Sequence, residues 1–239
     1  MSTRRFSKAS KKKNTVRLFI LFCIVAGLTI FIFWFTLTFT NFYVKDVQVK
    51  GLQRLSHLEV LQKALIPFDI SLFKLNTREI SQRIKLEPMV KNVTIKKKLP
   101  STLLIEIEER LPYVHVEKEE KFWEVDEEGV LLREVEFLND DFCLIAGINP
   151  SKEKEVLLKA LKILNISRDL NLGVKKIVLE KGNRGIVLNL EKDVQVLMGR
   201  FPNHDYLFYL PDIFRDVEEK GERCTVVDLR FDNQIIVTQ

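Results

Sequence analysis

The residues of this chain with the most chemistry to offer are its histidines, its cysteines and two adjacent glutamate pairs. His57, His115 and His204 lie far apart, and none falls in a metal-ligand pattern such as H-E-x-x-H. No G-x-S-x-G nucleophile elbow and no G-x-x-x-x-G-K-[ST] phosphate loop occurs. Glu108-Glu109 and Glu119-Glu120 read as strand neighbours, which a strand points to opposite faces, so neither pair suits acid/base work on one substrate. The expectation is a chain with no catalytic residue, no metal, no cofactor and no small-molecule substrate. Cys23 falls inside an apolar run, which leaves Cys143 and Cys224 to pair or to stay free. Sequence does not fix whether their Cα atoms approach within the roughly 4.4 to 6.8 Å that a bridge needs.

The chain is 239 residues long, with 30% charged residues, so most of it resembles water-soluble protein. Its apolar residues concentrate from Leu18 to Thr40, a run without a single charge. As a helix this run is roughly 34 Å long, enough to cross a bilayer with some tilt. Lipid offers backbone N–H and C=O groups no partner, so the crossing segment must be helical. Phe39, Phe42 and Tyr43 then stand where an aromatic belt meets the far interface. Arg4, Arg5, Lys8, Lys11, Lys12, Lys13 and Arg17 precede the run with no acid among them, which predicts a cytoplasmic N-terminus. The run exceeds the roughly 7 to 15 apolar residues of a signal peptide and lacks an A-x-A-like site, so an uncleaved anchor is expected. The net charge of +5 is more than accounted for by this tail, which acts as a topogenic signal that touches anionic lipid; no nucleic-acid partner is expected.

Beyond the anchor the order of elements reads strand, helix, helix, strand, strand. Asp46–Val49 alternates up to Gly51. Ser56-x-x-Glu59 fits a capping box, with Leu58, Leu61 and Leu65 expected on the buried stripe. Asn76-x-x-Glu79 opens a second helix with Ile80 and Ile84 inward, which Pro88 ends. Val93 and Ile95 mark one strand and Leu103, Ile105 and Ile107 the next, with Leu104 expected on the opposite face; Leu99-Pro100-Ser101 turns between them. Lys96-Lys97-Lys98 reads as a solvated edge and Glu109-Arg110 as an exposed pair. Past Pro112 strands dominate: Tyr113–Glu117, Phe122–Val125, a turn over Asp126–Gly129, Val130–Arg133, Val174–Leu179, Ile186–Leu190, Val194–Met198, Thr225–Leu229 and Ile235–Thr238. Helices are expected over Ser151–Ile166 and Asp205–Lys220. The predicted organisation is a tail (1–17), a membrane helix (18–40), one α+β domain (42–112) and a second, sheet-rich domain (113–239).

In their order, Val47-x-Val49-x-Gly51, Leu72-Phe73-x-Leu75, Pro88-x-Val90-x-x-Val93 and Leu99-Pro100-x-Thr102-Leu103-x-Ile105-x-Ile107-x-Glu109-Arg110-x-Pro112 resemble the POTRA domain of the bacterial cell-division family called FtsQ or DivIB. The second domain adds Val125-Asp126-x-x-Gly129, Leu197-Met198-Gly199 and Val227-Asp228-Leu229-Arg230-Phe231, the last with Phe where the family has Tyr and with Gln234 where a turn glycine is common. Taken alone, Asp228 and Arg230 read as a structural ion pair or turn former.

The resemblance implies a β-α-α-β-β POTRA-like domain followed by an FtsQ/DivIB-type domain. It implies a scaffold of the division septum in the bacterial inner membrane, single-pass, N-terminus in and C-terminus out, whose partners are FtsB and FtsL. The alternative is a POTRA-bearing module of protein translocation or envelope assembly; those proteins carry a long C-terminal barrel, which the helices past Pro112 do not fit. The candidate docking edge is Gln234, Ile235, Ile236, Val237 and Thr238, because a β-branched final strand without charge or proline is unprotected against pairing. The resemblance places Phe231 at an interface tyrosine.

Overall fold

The computed structural model describes the backbone of residues 9–39, 42–67, 70–180, 185–199, 204–231 and 234–238. The first helix, α1 (Ala9–Phe39), contains a segment, Val16–Phe35, long and apolar enough to cross a membrane. Its side chains from Leu18 to Phe35 are uncharged on every side and exposed almost throughout, which suits lipid and not a soluble core. Arg4, Arg5 and Lys8 of the basic tail lie outside the described residues, as do the side chains of Lys11, Lys12, Lys13 and Phe39.

Backbone contacts divide the chain into two units, the first being Met1–Ile84 with Val93–Ile107 and the second Lys85–Asn92 with Glu108–Gln239. After α1 come β1 (Asp46–Lys50), α2 (His57–Ala64), α3 (Thr77–Ile84), β2 (Val90–Lys98) and β3 (Thr102–Glu109), in the predicted β-α-α-β-β order. The sheet order is β1-β3-β2, with β1 parallel to the central β3. Ser56 accepts from the Glu59 N–H at 3.1 Å while the Glu59 carboxylate accepts from the Ser56 N–H at 2.7 Å, so both ends of the capping box form. Arg83 of α3 donates through Nη2 to the Ala64 carbonyl at 2.8 Å, satisfying an orphan acceptor at the end of α2.

The buried face of α2 differs from the expected one. Val60 and Ala64 are inside, Leu61 is half-buried, and Leu58 and Leu65 are exposed. Val60 and Ala64 sit at i, i+4, whereas Leu65 is the C-cap with φ 45°, which turns its side chain out of the helical frame. On β3 both Leu103 and Leu104 are buried with Ile105, so strict alternation begins only at Ile105. Gly51 has φ +87°, and a Cβ there would stand 2.0 Å from the Ile107 carbonyl oxygen, so no other residue fits this turn.

The second unit continues with β4 (Val114–Lys118), β5 (Lys121–Val125), β6 (Leu131–Val135), β7 (Leu144–Ala146), α4 (Lys154–Asp169), β8 (Val174–Glu180), β9 (Gly185–Leu190), β10 (Gln195–Met198), a 3-10 turn (His204–Tyr209), α5 (Leu210–Glu219), β11 (Val226–Phe231) and β12 (Gln234–Thr238). Nine strands form one sheet in the order β12-β11-β10-β9-β8-β7-β4-β5-β6. Leu157, Ala160, Leu161, Ile163 and Leu164 of α4 join the core made with alternate sheet residues such as Val116, Ile177, Leu188, Val196 and Val227. Glu119 and Glu120 are not on a strand: they form the tip of the β4–β5 hairpin, with φ 54° and 64°, as a mirrored two-residue turn requires. The short strand β7, parallel to both β4 and β8, is absent from the sequence reading because its Leu-Ile-Ala run carries no alternation.

Candidate functional site

At one end of the nine-stranded sheet β12 pairs antiparallel with β11 and, among the described residues, with nothing else. The opposite edge, β6, carries Arg133 and Glu134, charges that resist pairing with another chain. β12 reads Gln-Ile-Ile-Val-Thr and has no such protection. Its exposed row of main-chain donors and acceptors is the chemistry this site offers.

The pleat of β12 sorts its side chains onto two faces. Ile235 and Val237 point toward α5, where they line a groove of about 530 Å³ with Tyr209, Ile213 and Val217. The 209, 213, 217 spacing places those three on one side of the helix. Asp216, Lys220, Glu222 and Arg223 form the charged rim, and Lys220 meets Asp216 at 2.6 Å. Gln234, Ile236 and Thr238 occupy the other face, with Ile236 44% exposed.

A kink sits next to the edge. The β11–β12 register shifts between Asp228 and Phe231, and at this bulge the Arg230 guanidinium grips the Asp228 carboxylate through Nε at 2.8 Å and through Nη2. The Arg230 N–H also donates to Asp228 Oδ1 at 3.0 Å. These bonds hold the Asp228 carboxyl below the usual carboxylate range, so the pair is the structural brace expected of it. Phe231, beyond the brace, is 46% exposed. Gly199 follows β10, two strands in from the β12 edge, in open space.

The other motif residues lie away from this edge, Gly51 and Pro100 in the first unit and the rest in the second. Arg110 and Glu109 do not form an exposed pair: Glu109 is buried, and Arg110 turns to Asp126 and Glu128, with Nη1 at 2.5 and 2.7 Å. The second oxygen of Asp126 accepts from the N–H groups of Glu128 and Val130, closing the turn in which Gly129 has φ +76°. Val90 is buried at the start of β2, Pro88 is exposed just before it, Pro100 lies in the β2–β3 turn, and Pro112 is half-buried ahead of β4. The strand-end residues Gly51, Pro88, Val90, Pro100, Glu109, Arg110 and Pro112 therefore serve turns and packing. The histidines stay apart: His57 opens α2, His204 precedes α5, and His115 is sealed on β4 beside Glu124. Cys143 and Cys224 are free thiols. The helix expected over Asp205–Lys220, which the sequence offers as the second choice of partner site, supplies the other wall of this groove; its place beside β12 was not read from the sequence.

One long apolar helix, a β-α-α-β-β unit and a nine-stranded mixed sheet define a mixed helix-and-sheet protein with one candidate membrane span. Comparison with known proteins agrees. Residues 42–110 match the family model for the POTRA domain, FtsQ-type, and residues 114–230 match that for Cell division protein FtsQ/DivIB, C-terminal; β12 lies past the end of that match. Cell division protein DivIB of Clostridium tetani is 26% identical over 68% of this chain and 54% of its own length, so the chain spans about half of that relative. Cell division protein FtsQ of Geobacter sp. (strain M21) is 24% identical over 81% of this chain and 75% of its own. Cell division protein DivIB of Clostridium acetobutylicum is 30% identical over 51% of this chain and 46% of its own. The solved extracytoplasmic domain of DivIB from Geobacillus stearothermophilus aligns with 47% of this chain and 97% of that one at 14% identity and a TM-score of 0.34. The chain belongs to the FtsQ/DivIB family of bacterial cell-division proteins.

Proposed function

We propose that this chain is a non-catalytic scaffold of the division septum that captures a partner strand on β12, the partner being FtsB held together with FtsL. In this reading α1 crosses the inner membrane once, with the basic tail in the cytoplasm and both folded units outside. The observation that supports it is the unprotected edge of β12 beside the α5 groove. A strand added there gains main-chain hydrogen bonds along β12, and alternate side chains drop into the groove beside Ile235 and Val237 or lie against Ile236. Phe231, exposed just past the bulge and paired with Gln234, supplies an aromatic anchor at the entry to that edge.

The reading is tested by capture of FtsB and FtsL on the full chain in detergent. Val237→Pro removes a main-chain donor that faces the open edge of β12, and Val237→Asp puts a charge on the groove floor. Each is expected to lower capture at least tenfold while the thermal melt of the second unit persists. Undiminished capture by both folded variants would contradict the reading. Orientation is tested separately: a reporter active only outside the cytoplasm is expected to work after Gln239 and to fail before Arg17.

A further inference from the structure

Two turns and the segment leading into β1 meet at one end of the first unit's sheet. β1 and β3 run parallel, with Asp46 opposite Thr102, so both begin at the same end. The Leu99-Pro100-Ser101 turn that feeds β3 lies there too, because the N–H groups of Lys45 and Asp46 both donate to the Ser101 carbonyl, at 2.9 and 3.3 Å. On the other flank the 70–75 segment closes on the residues that precede β1. The Leu72 N–H donates to the Phe42 carbonyl at 2.8 Å, the Val44 N–H to the Ile70 carbonyl at 3.1 Å, and the Phe73 ring meets Phe42 edge-on at 5.2 Å. Lys97 Nζ, near the end of β2, reaches the Leu75 carbonyl at 2.9 Å, joining the two turns.

The same end is tethered to the bilayer by chain length. α1 ends at Phe39 and Phe42 is three residues later, so Phe42 lies within about 10 Å of the helix end. That distance is comparable to the headgroup zone flanking the hydrocarbon core, roughly 5 to 8 Å on each side. The turns pinned to Phe42 and Val44 are therefore brought to the membrane surface as well. Their exposed side chains suit such a place: Tyr43 is 43% exposed, Phe73 54% and Leu99 61%. The segments 42–45, 70–75 and 97–101 contribute Lys45, Lys74, Lys97 and Lys98 and no acidic residue; Asp46 and Asp69 adjoin them in sequence. The far end of β3 instead presents the exposed Glu108.

We propose that the Phe73-Lys74 turn and the Lys98-Leu99 turn form a second contact with the membrane, resting on the anionic phospholipid surface of the leaflet that α1 enters last. Aromatic and leucine side chains gain by entering the interface, and lysines gain by facing anionic headgroups. The contact fixes the tilt of the first unit, which a single helix and a short link would leave free. It rests on the reading of α1 as a membrane span and is independent of the β12 edge.

The test uses the full chain, with Cys143 and Cys224 replaced by Ala, in vesicles of phosphatidylcholine mixed with phosphatidylglycerol. An environment-sensitive fluorophore is placed at native Cys23, or, with Cys23→Ala, at Phe73→Cys or Glu108→Cys. Quenching is then measured with nitroxide lipids labelled near the headgroup or deep in the acyl chain. The expected result is headgroup-level quenching at position 73 several-fold above that at 108, lowered toward the 108 level by Lys74→Glu with Lys98→Glu. Equal quenching at 73 and 108, with Cys23 still quenched by the deep nitroxide, would overturn the second contact and leave the span intact. An unquenched Cys23 label would instead overturn the span reading. A position-73 label shielded in native membranes but not in lipid vesicles would point to a protein occupant and overturn the lipid assignment.

Discussion

Arg110 donates through Nη1 to one oxygen of Asp126, while the other oxygen of Asp126 caps the turn at Glu128 and Val130. One carboxylate thus ties together two motifs that stand 16 residues apart in sequence. Asp126→Ala removes the ion-pair partner of a mostly buried guanidinium and two turn bonds at once. It is expected to cost about 2 to 3 kcal/mol in thermal or denaturant unfolding. Glu128→Gln, at an exposed site with Asp126 still in place, is expected to leave the melt nearly unchanged.

The first unit offers a paired test of face assignment. Ile105 is fully buried, so Ile105→Asp places an unpaired charge in the core and is expected to cost several kcal/mol. Leu58 is 64% exposed, so Leu58→Asp is expected to have little effect, although its place after the capping box suggests a core position. Comparison of the two melts decides between the observed stripe and the one that helical spacing alone suggests.

The β-α-α-β-β order, the long apolar helix and the turns at Gly51, Leu99-Pro100 and Asp126–Gly129 were legible in the sequence because each rests on local chemistry: a charge-free run, a capping box, a turn glycine. The burial of Val60 over Leu58 was not, because two helical phases fit so short an element and the facing α3 chooses between them. β7 escaped because a strand buried between parallel neighbours needs no alternation. The unprotected character of β12 could be read from its residues, whereas the groove beside it depends on the return of α5, a tertiary fact.

Burial pushes the Cys143 thiol up to about 12, so at pH 8 it is protonated as well as inaccessible. A maleimide reagent is expected to modify Cys224, half-buried and with its thiol pKa also raised by burial, well before the buried Cys143. Mass mapping after brief labelling checks this, with full modification of Cys143 appearing only in denaturant.

His115 is 2% exposed, its Nδ1 finds no hydrogen-bond partner among the described residues, and burial lowers its pKa, partly offset by the charge of Glu124. The folded state thus holds the neutral imidazole, and the unfolded chain binds the extra proton below about pH 6.5. The stability that neutral His115 allows is present above that pH and is lost as pH falls through it. Between pH 7.5 and 5.5 the melting temperature of the parent is expected to drop more than that of His115→Gln; parallel curves would assign the acid sensitivity to other groups.

The most direct measurement of the central claim is photo-crosslinking in dividing cells, with a photoreactive amino acid placed in turn at Ile236, at Val237 and, as a control on the opposite sheet edge, at Leu131. The account predicts adducts to FtsB at 236 and 237 and none at 131. Adducts to FtsB at 131 with none at 236 or 237 would contradict it.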